Sequence, residues 1–213
     1  MYIPKHFKED DTQTLHQYIR DYSFGLLVVA DANGIEANHV PFHLNTEESG
    51  TLGRLQCHVA RSNPVWQRLG EGTKVLVVFQ GPDAYVSPSW YPTKKETDRV
   101  VPTWNYLAIH AEGIAKTIED SAWLLRQLHA LTDQHESAMS EPWSVDDAPA
   151  EFTDRLLNAI VGVEIEITAL KGKLKASQNQ PARNKAGVKA GLAEVEGKAG
   201  HAMSEFIKLE PGV

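Results

Sequence analysis

The chain has 213 residues, 42% apolar and 23% charged, which is ordinary globular composition and excludes a disordered or fibrous protein. Net charge is −7 but unevenly spread: Lys171 to Lys198 holds seven basic residues against Glu194 and Glu196, a local +5, so the remainder carries −12. An acidic body with one basic segment argues against a broad nucleic-acid surface and leaves room for a local anion site. The longest apolar run, Phe24 to Ala30, is far short of the roughly 20 residues a membrane helix needs, so no membrane partner is expected. Met1 to His6 lacks an apolar signal core, and Cys57 is the only cysteine, so cytoplasm is the expected compartment.

Asp10 or Asp11 can cap a first helix, in which Leu15, Tyr18, Ile19 and Tyr22 recur at helical spacing. Phe24 to Ala30 has the composition of a buried strand. Asp31-Ala32-Asn33-Gly34 then reads as a hairpin turn, because Asn-Gly readily takes positive φ. Ile35 to Leu44 forms the returning strand. A turn at Glu48-Ser49-Gly50 leads into a strand over Leu52 to His58, and a short helix follows from Pro64. The next strand is Lys74 to Phe79, followed by proline-rich loops around Tyr85. Trp104 to Ile118 reads as one long strand. Its apolar parity changes after Gly113, which predicts a bulge there. Amphipathic helices are expected over 119–134 and 148–159, then a half-buried strand in which Val161, Val163, Ile165 and Ile167 alternate with polar neighbours. Arg183 to Val195 is expected to be helical.

Strands thus come first in hairpins and helices are inserted later. No glycine-rich phosphate loop alternates with strands, so a doubly wound nucleotide fold is excluded. The pattern fits an α+β protein, mainly β with peripheral helices: an antiparallel barrel. One barrel domain is expected over 1–170, with a basic, helical C-terminal segment over 171–213 packed on the barrel or on a dimer partner.

Three segments could carry chemistry. In His58-Val59-Ala60-Arg61-Ser62-Asn63-Pro64-Val65-Trp66, Asn63 suits an N-cap and Pro64 the first helical position. Arg61 adds a fork of donors matched to phosphate, and His58 and Ser62 could donate further bonds. A capped helix beside a solvated arginine is the plainer reading. The segment from Gly81 to Pro92, with Val101 to Tyr106, sets Tyr85, Trp90, Tyr91 and Trp104 in stiff loops, suited to a lid, a subunit interface or a planar ligand. Lys171 to Asn179 is a charge run ending in Ser177-Gln178-Asn179, whose uncharged donors and acceptors could read a polar ring edge. The histidines show no metal-ligand spacing and Cys57 lies on an apolar strand, so no metal site and no catalytic residue is assigned.

The blocks Met1-Tyr2-Ile3-Pro4, Asn38-His39-Val40-Pro41, His58 to Trp66, Gly81 to Tyr91, Val101 to Tyr106 and Lys173 to Asn179, in this order, resemble those of the PaiB family of FMN-binding-type negative transcriptional regulators. The resemblance runs from Met1 to about Leu192. One departure is Ala176, where the family more often has serine. The resemblance implies an FMN-binding split barrel with a Greek-key antiparallel barrel, and a homodimer holding FMN at its subunit contact. It implies phosphate donors at His58, Arg61, Ser62 and Asn63, and a strand with His39 and Pro41 along the flavin ring. Trp90, Trp104 and Asn105 would approach the ring or the dimer contact, and Lys173, Ser177 and Gln178 would close the site.

Three functions follow. The first is a flavin-dependent redox enzyme or sensor. The second is a DNA-binding negative regulator of protease- and sporulation-type genes, for which the +5 segment is the only plausible contact and the −12 remainder is unfavourable. The third is a haem-binding barrel with a histidine ligand.

Overall fold

After a 3-10 turn at Lys5–Phe7, a two-residue strand β1 (Lys8–Glu9) leads into helix α1 (Thr12–Asp21), which buries Leu15 and Ile19 as the periodicity predicts. These come from a computed structural model that describes residues 1–47, 52–195 and 198–209. The turn expected at Glu48-Ser49-Gly50 lies outside the described residues.

Strand β2 (Phe24–Asp31) pairs with β3 (Gly34–Pro41) through the expected Asn-Gly turn, with Gly34 at φ 102°. Arg68 clamps this hairpin: its Nε and Nη2 donate to the two Asp31 carboxylate oxygens at 2.8 Å each, and Nη1 donates to Glu36 at 2.9 Å. The single strand expected over 35–44 is instead broken at Phe42. That residue's N–H donates to Ser23 O and its ring is fully buried, so the chain kinks before resuming as β4 (His43–Asn45). Strand β5 (Arg54–Ala60) follows, then a 3-10 turn over Pro64–Arg68 capped as expected: Asn63 Oδ1 accepts from Val65 N–H at 3.0 Å, and Pro64 opens the turn.

Strand β6 (Thr73–Val86) is more than twice the expected length. Its register against β2 covers only Val75 to Val78, so Pro82 falls beyond the paired stretch and costs no bond to β2. A 3-10 turn (Pro88–Trp90) and a short helix α2 (Lys94–Thr97) precede β7 (Thr103–Ile118). The bulge expected at Gly113 is not formed. Inward positions stay odd-numbered through Ala115, and a Cβ at 113 would lie 2.5 Å from Glu166 O. Glycine serves close backbone approach here rather than a parity change.

Helix α3 (Ser121–Glu136) is capped by Asp120, which accepts from Trp123 N–H at 2.7 Å. Helix α4 (Ala150–Leu157) follows, then β8 (Ile160–Lys175), which runs on through residues read from sequence as a charge run. Helices α5 (Ala182–Glu194) and α6 (Lys198–Glu205) end the described chain. The eight antiparallel strands follow the order β3-β2-β6-β7-β8-β5-β4, with β1 paired to β8. No described helix is long and apolar enough to cross a membrane.

The chain divides into two compact units. The first comprises Met1–Asp11, Gln80–Ile109 and Lys171–Val213; the second comprises Thr12–Phe79 and His110–Leu170. The core of the first includes Val86, Tyr91, Val188, Leu192, Met203 and Ile207. In it α5 seats against the turn carrying Trp90. A Cβ at Gly187 would lie 2.1 Å from Trp90 O, and one at Gly191 2.4 Å from the indole ring. The second unit buries Phe42, Phe79, Leu27, Leu55 and Ile165.

Candidate functional site

The sequence-derived site residues fall into two groups, one in each unit. In the second unit, strand β5 ends at Ala60 and the chain turns through Arg61-Ser62-Asn63. Arg61 is held firmly: Nε donates to Asn158 O at 2.9 Å, Nη2 to Ile160 O at 3.1 Å and Nη1 to Glu119 at 2.6 Å, while Trp66 Nε1 donates to Arg61 O. The Asn63 side chain is also engaged, accepting from Val65 N–H and donating to Asn38 Oδ1 at 2.9 Å. His58 Nδ1 is hydrogen-bonded to Gln127 Oε1 at 2.9 Å, so this nitrogen is engaged within the fold. Ser62 is the uncommitted member: no described group takes a bond from its hydroxyl or its N–H.

His39 and Pro41 lie on β3, on the outward face of the hairpin. Register pairs Phe24 with Pro41, Leu26 with His39, Val28 with Ala37 and Ala30 with Ile35, and His39 stacks on Phe24 at 5.9 Å. Leu26 and Val28 continue this face to Val78 and Leu76 of β6. The sequence made β2 a fully buried strand. In the fold only Gly25, Leu27 and Val29 point inward, while Phe24 is 64% and Ile35 80% exposed. The result is an apolar sheet face, half-buried at Leu26, Val28, Leu76 and Val78 and open at Phe24 and Ile35.

In the first unit, Asn105 and Ser177 come together, and Asn105 Nδ2 donates to Ser177 Oγ at 2.9 Å with both residues buried. They line a cleft of about 430 Å³ together with Arg99, Lys175, Gln180 and Asn184. The other predicted residues do not join them there. Trp104 meets Tyr85 edge to face at 6.0 Å, and Trp90 is packed beneath α5. Lys173 is buried, donating to Tyr2 O at 3.1 Å and lying 5.1 Å from the Tyr106 ring centre. Gln178 folds back on its own turn, accepting from Ala176 N–H and donating to Leu174 O, both at 2.7 Å. Burial, followed by the neighbouring Lys173 charge, holds the Lys175 ammonium below the usual lysine range. Arg99 and Asn184 were not singled out from sequence. They lie far from Ser177 or in a helix start, and no local spacing joins them.

Burial pushes the Cys57 thiol well above the ordinary range, so it offers no nucleophile at neutral pH. Among the described residues, no three of His, Cys, Asp and Glu gather as metal ligands.

Against known families, residues 1–169 match the one described as "Putative FMN-binding domain". The Bacillus subtilis "Protease synthase and sporulation protein PAI 2" is 32% identical over 180 residues, covering 84% of this chain and 83% of that protein. The chain belongs to the PaiB family of FMN-binding-domain proteins. An uncharacterised Emericella nidulans relative is 34% identical across 98% of this chain and 96% of its own. Among solved structures, the flavocytochrome Anf3 of Azotobacter vinelandii superposes at TM-score 0.59 with 13% identity, covering 82% of this chain and 72% of that one. The FAD- and haem-binding protein of Mycobacterium smegmatis gives TM-score 0.54 at 16% identity, covering 79% and 73%. These likenesses establish the fold, an α+β split barrel.

Proposed function

We propose that the protein is a cytoplasmic homodimer that binds FMN and acts through it as a redox enzyme or redox sensor. The observation that carries this reading is the FMN-binding-domain match over residues 1–169. The donor set at the β5 corner fits a phosphate: Ser62 offers its hydroxyl and N–H, and Arg61 stands beside it, oriented by two backbone carbonyls and paired, among the described carboxylates, with Glu119. In this reading the phosphate takes the place of the Glu119 carboxylate on Arg61 Nη1. His58 and Asn63 position the corner through Gln127 and Asn38 rather than gripping the phosphate themselves. Bound flavin supplies one- and two-electron transfer; the chain supplies orientation and exclusion of water.

The twofold contact is placed on the apolar face of β2, β3 and β6. A contiguous outward set of Phe24, Leu26 and Val28, with Ile35, Ala37, Leu76 and Val78, gives this face an apolar patch of the kind that marks an interaction surface. His39 and Pro41 stand on that face, so a ring bound at the contact would meet them.

The test is a titration with FMN and riboflavin. Arg61→Ala weakens FMN binding far more than riboflavin binding, whereas Glu119→Ala, which frees Nη1 and removes the competing charge, strengthens FMN alone. Equal effects on the two flavins would remove the phosphate assignment.

Direct DNA binding is the second reading, favoured by the relative's role in protease synthesis and sporulation as its name states it. The fold weakens it. Within the +5 segment Lys173 and Lys185 are buried, and Arg183 forms a two-bond fork with Glu96 at 2.6 and 2.8 Å, so part of that charge is withdrawn from a phosphate partner.

A further inference from the structure

We propose that the cleft of the first unit, between Arg99, Lys175 and Asn105, is a binding site for a small organic monoanion that also carries a hydrogen-bond donor, such as a hydroxy- or amino-substituted aromatic carboxylate. The family resemblance sets Asn105 and Ser177, which line this cleft, beside the flavin; the phosphate corner proposed above at Arg61 uses neither, and the inference stands apart from that corner.

Four observations carry it. The cleft holds about 430 Å³, ample for a single-ring ligand. Two cations and no carboxylate line it, in a chain that is acidic overall. The Arg99 guanidinium has no partner among the described residues: the loop from 98 to 102 exposes it, and only its backbone N–H is bonded, to Thr97. Finally, Asn105 is completely buried on the cleft wall, and its Oδ1 accepts no hydrogen bond from any described group. A buried amide oxygen left without a donor carries a penalty of about 1–3 kcal/mol, which a ligand's O–H or N–H would relieve.

The remaining wall fixes the shape. Phe7, Tyr91, Val100 and Pro181 supply apolar surface for a flat ring. Asn184 is itself buried, held by Thr93 and Gln180 at 3.0 Å each, so this side of the cleft is preorganised. The placement of the two cations favours one carboxylate on a flat ring: the Arg99 fork is free, whereas the Lys175 ammonium already bonds to Thr103 and lies over the Phe7 ring. An arriving carboxylate restores what burial takes from the Lys175 ammonium.

The experiment is calorimetric titration of the full chain, with and without saturating FMN, using 4-hydroxybenzoate and 4-aminobenzoate as probes, their amides as neutral controls, and inorganic phosphate. At least one carboxylate is expected to bind, at least tenfold tighter than its amide and than phosphate, equally in the presence of FMN. Lys175→Met and Arg99→Met each weaken it tenfold or more, Lys175→Arg restores it, and Asn105→Leu abolishes the preference for the hydroxyl or amino substituent over unsubstituted benzoate. Thermal melts of each variant check that the fold is kept. Absence of binding by both carboxylates, equal binding of acid and amide, or indifference to Lys175→Met in a folded variant would overturn the proposal. Complete displacement of the probe by FMN would overturn the separation of this site from the flavin's.

Discussion

Asn105 Nδ2 donates to Ser177 Oγ across 2.9 Å, and Ser177 holds φ at 62°, in the left-handed region, where it receives that bond. The contact links β7 to the turn after β8 within the first unit. It satisfies one end of the Asn105 amide and leaves the other without a donor.

A stability experiment follows from this pair. Ser177→Ala strands the second polar end of a buried amide and is expected to cost about 1–3 kcal/mol. Adding Asn105→Leu removes both polar atoms in nearly the same volume, so the double variant should recover most of that loss. Denaturant unfolding of the two variants checks this. A double variant clearly less stable than Ser177→Ala would show that the amide is satisfied in the folded protein.

The outward face of β2 and β3 gives a second prediction. Ile35 is 80% exposed, so Ile35→Glu removes no core contact and should leave the monomer's melting behaviour within about 0.5 kcal/mol of the parent. It places a charge on the proposed twofold contact at its hairpin-tip end. Sedimentation should show a dimer for the parent and a monomer for the variant. A variant that stays dimeric would move the contact elsewhere.

Glu164 sets an acid limit in the second unit. Its side chain is 7% exposed; Lys116 Nζ lies at 2.9 Å, and Gln56 Nε2 donates at 2.8 Å. Burial alone would push this carboxyl up, but the bonds from Lys116 and Gln56, with the Arg54 charge, outweigh it and hold it below the usual range. Because the folded value is the lower one, the stabilisation is complete above the ordinary value of about 4.5 and is lost as pH falls through the folded value. Glu164→Gln should cost about 1–2 kcal/mol at neutral pH and flatten the acid limb of the stability profile. Unfolding from pH 7 to pH 3 reads this directly; parallel profiles for parent and variant would contradict it.

Much of this fold could be read from periodicity. The Asn33-Gly34 hairpin, the Asn63-Pro64 cap and the alternation from Val161 to Ile167 each rest on local backbone preferences that tertiary contacts do not override. What failed to show was decided across space. Gly113 faces the Glu166 carbonyl on a neighbouring strand, and the kink at Phe42 depends on Ser23 O. Lys173 looks like solvated charge until Tyr2 and Tyr106 close over it. The corner at Arg61 was legible because its donors are consecutive in sequence, although the bonds to Asn158, Ile160 and Glu119 that commit the guanidinium were not. The cleft was only half legible: Asn105 and Ser177 stand in recognisable segments, whereas Arg99 and Asn184 reach it from a loop and a helix start with no pattern connecting them.

The central claim, that this chain binds a flavin, is tested most directly by the absorbance spectrum of freshly purified protein, or of protein titrated with FMN, together with the mass of any ligand released on denaturation. A flavin-binding chain gives a yellow protein with the two flavin bands, releasing FMN in a ratio of about one per chain. A colourless protein that takes up no FMN, or a red-brown one with a haem band, would contradict it.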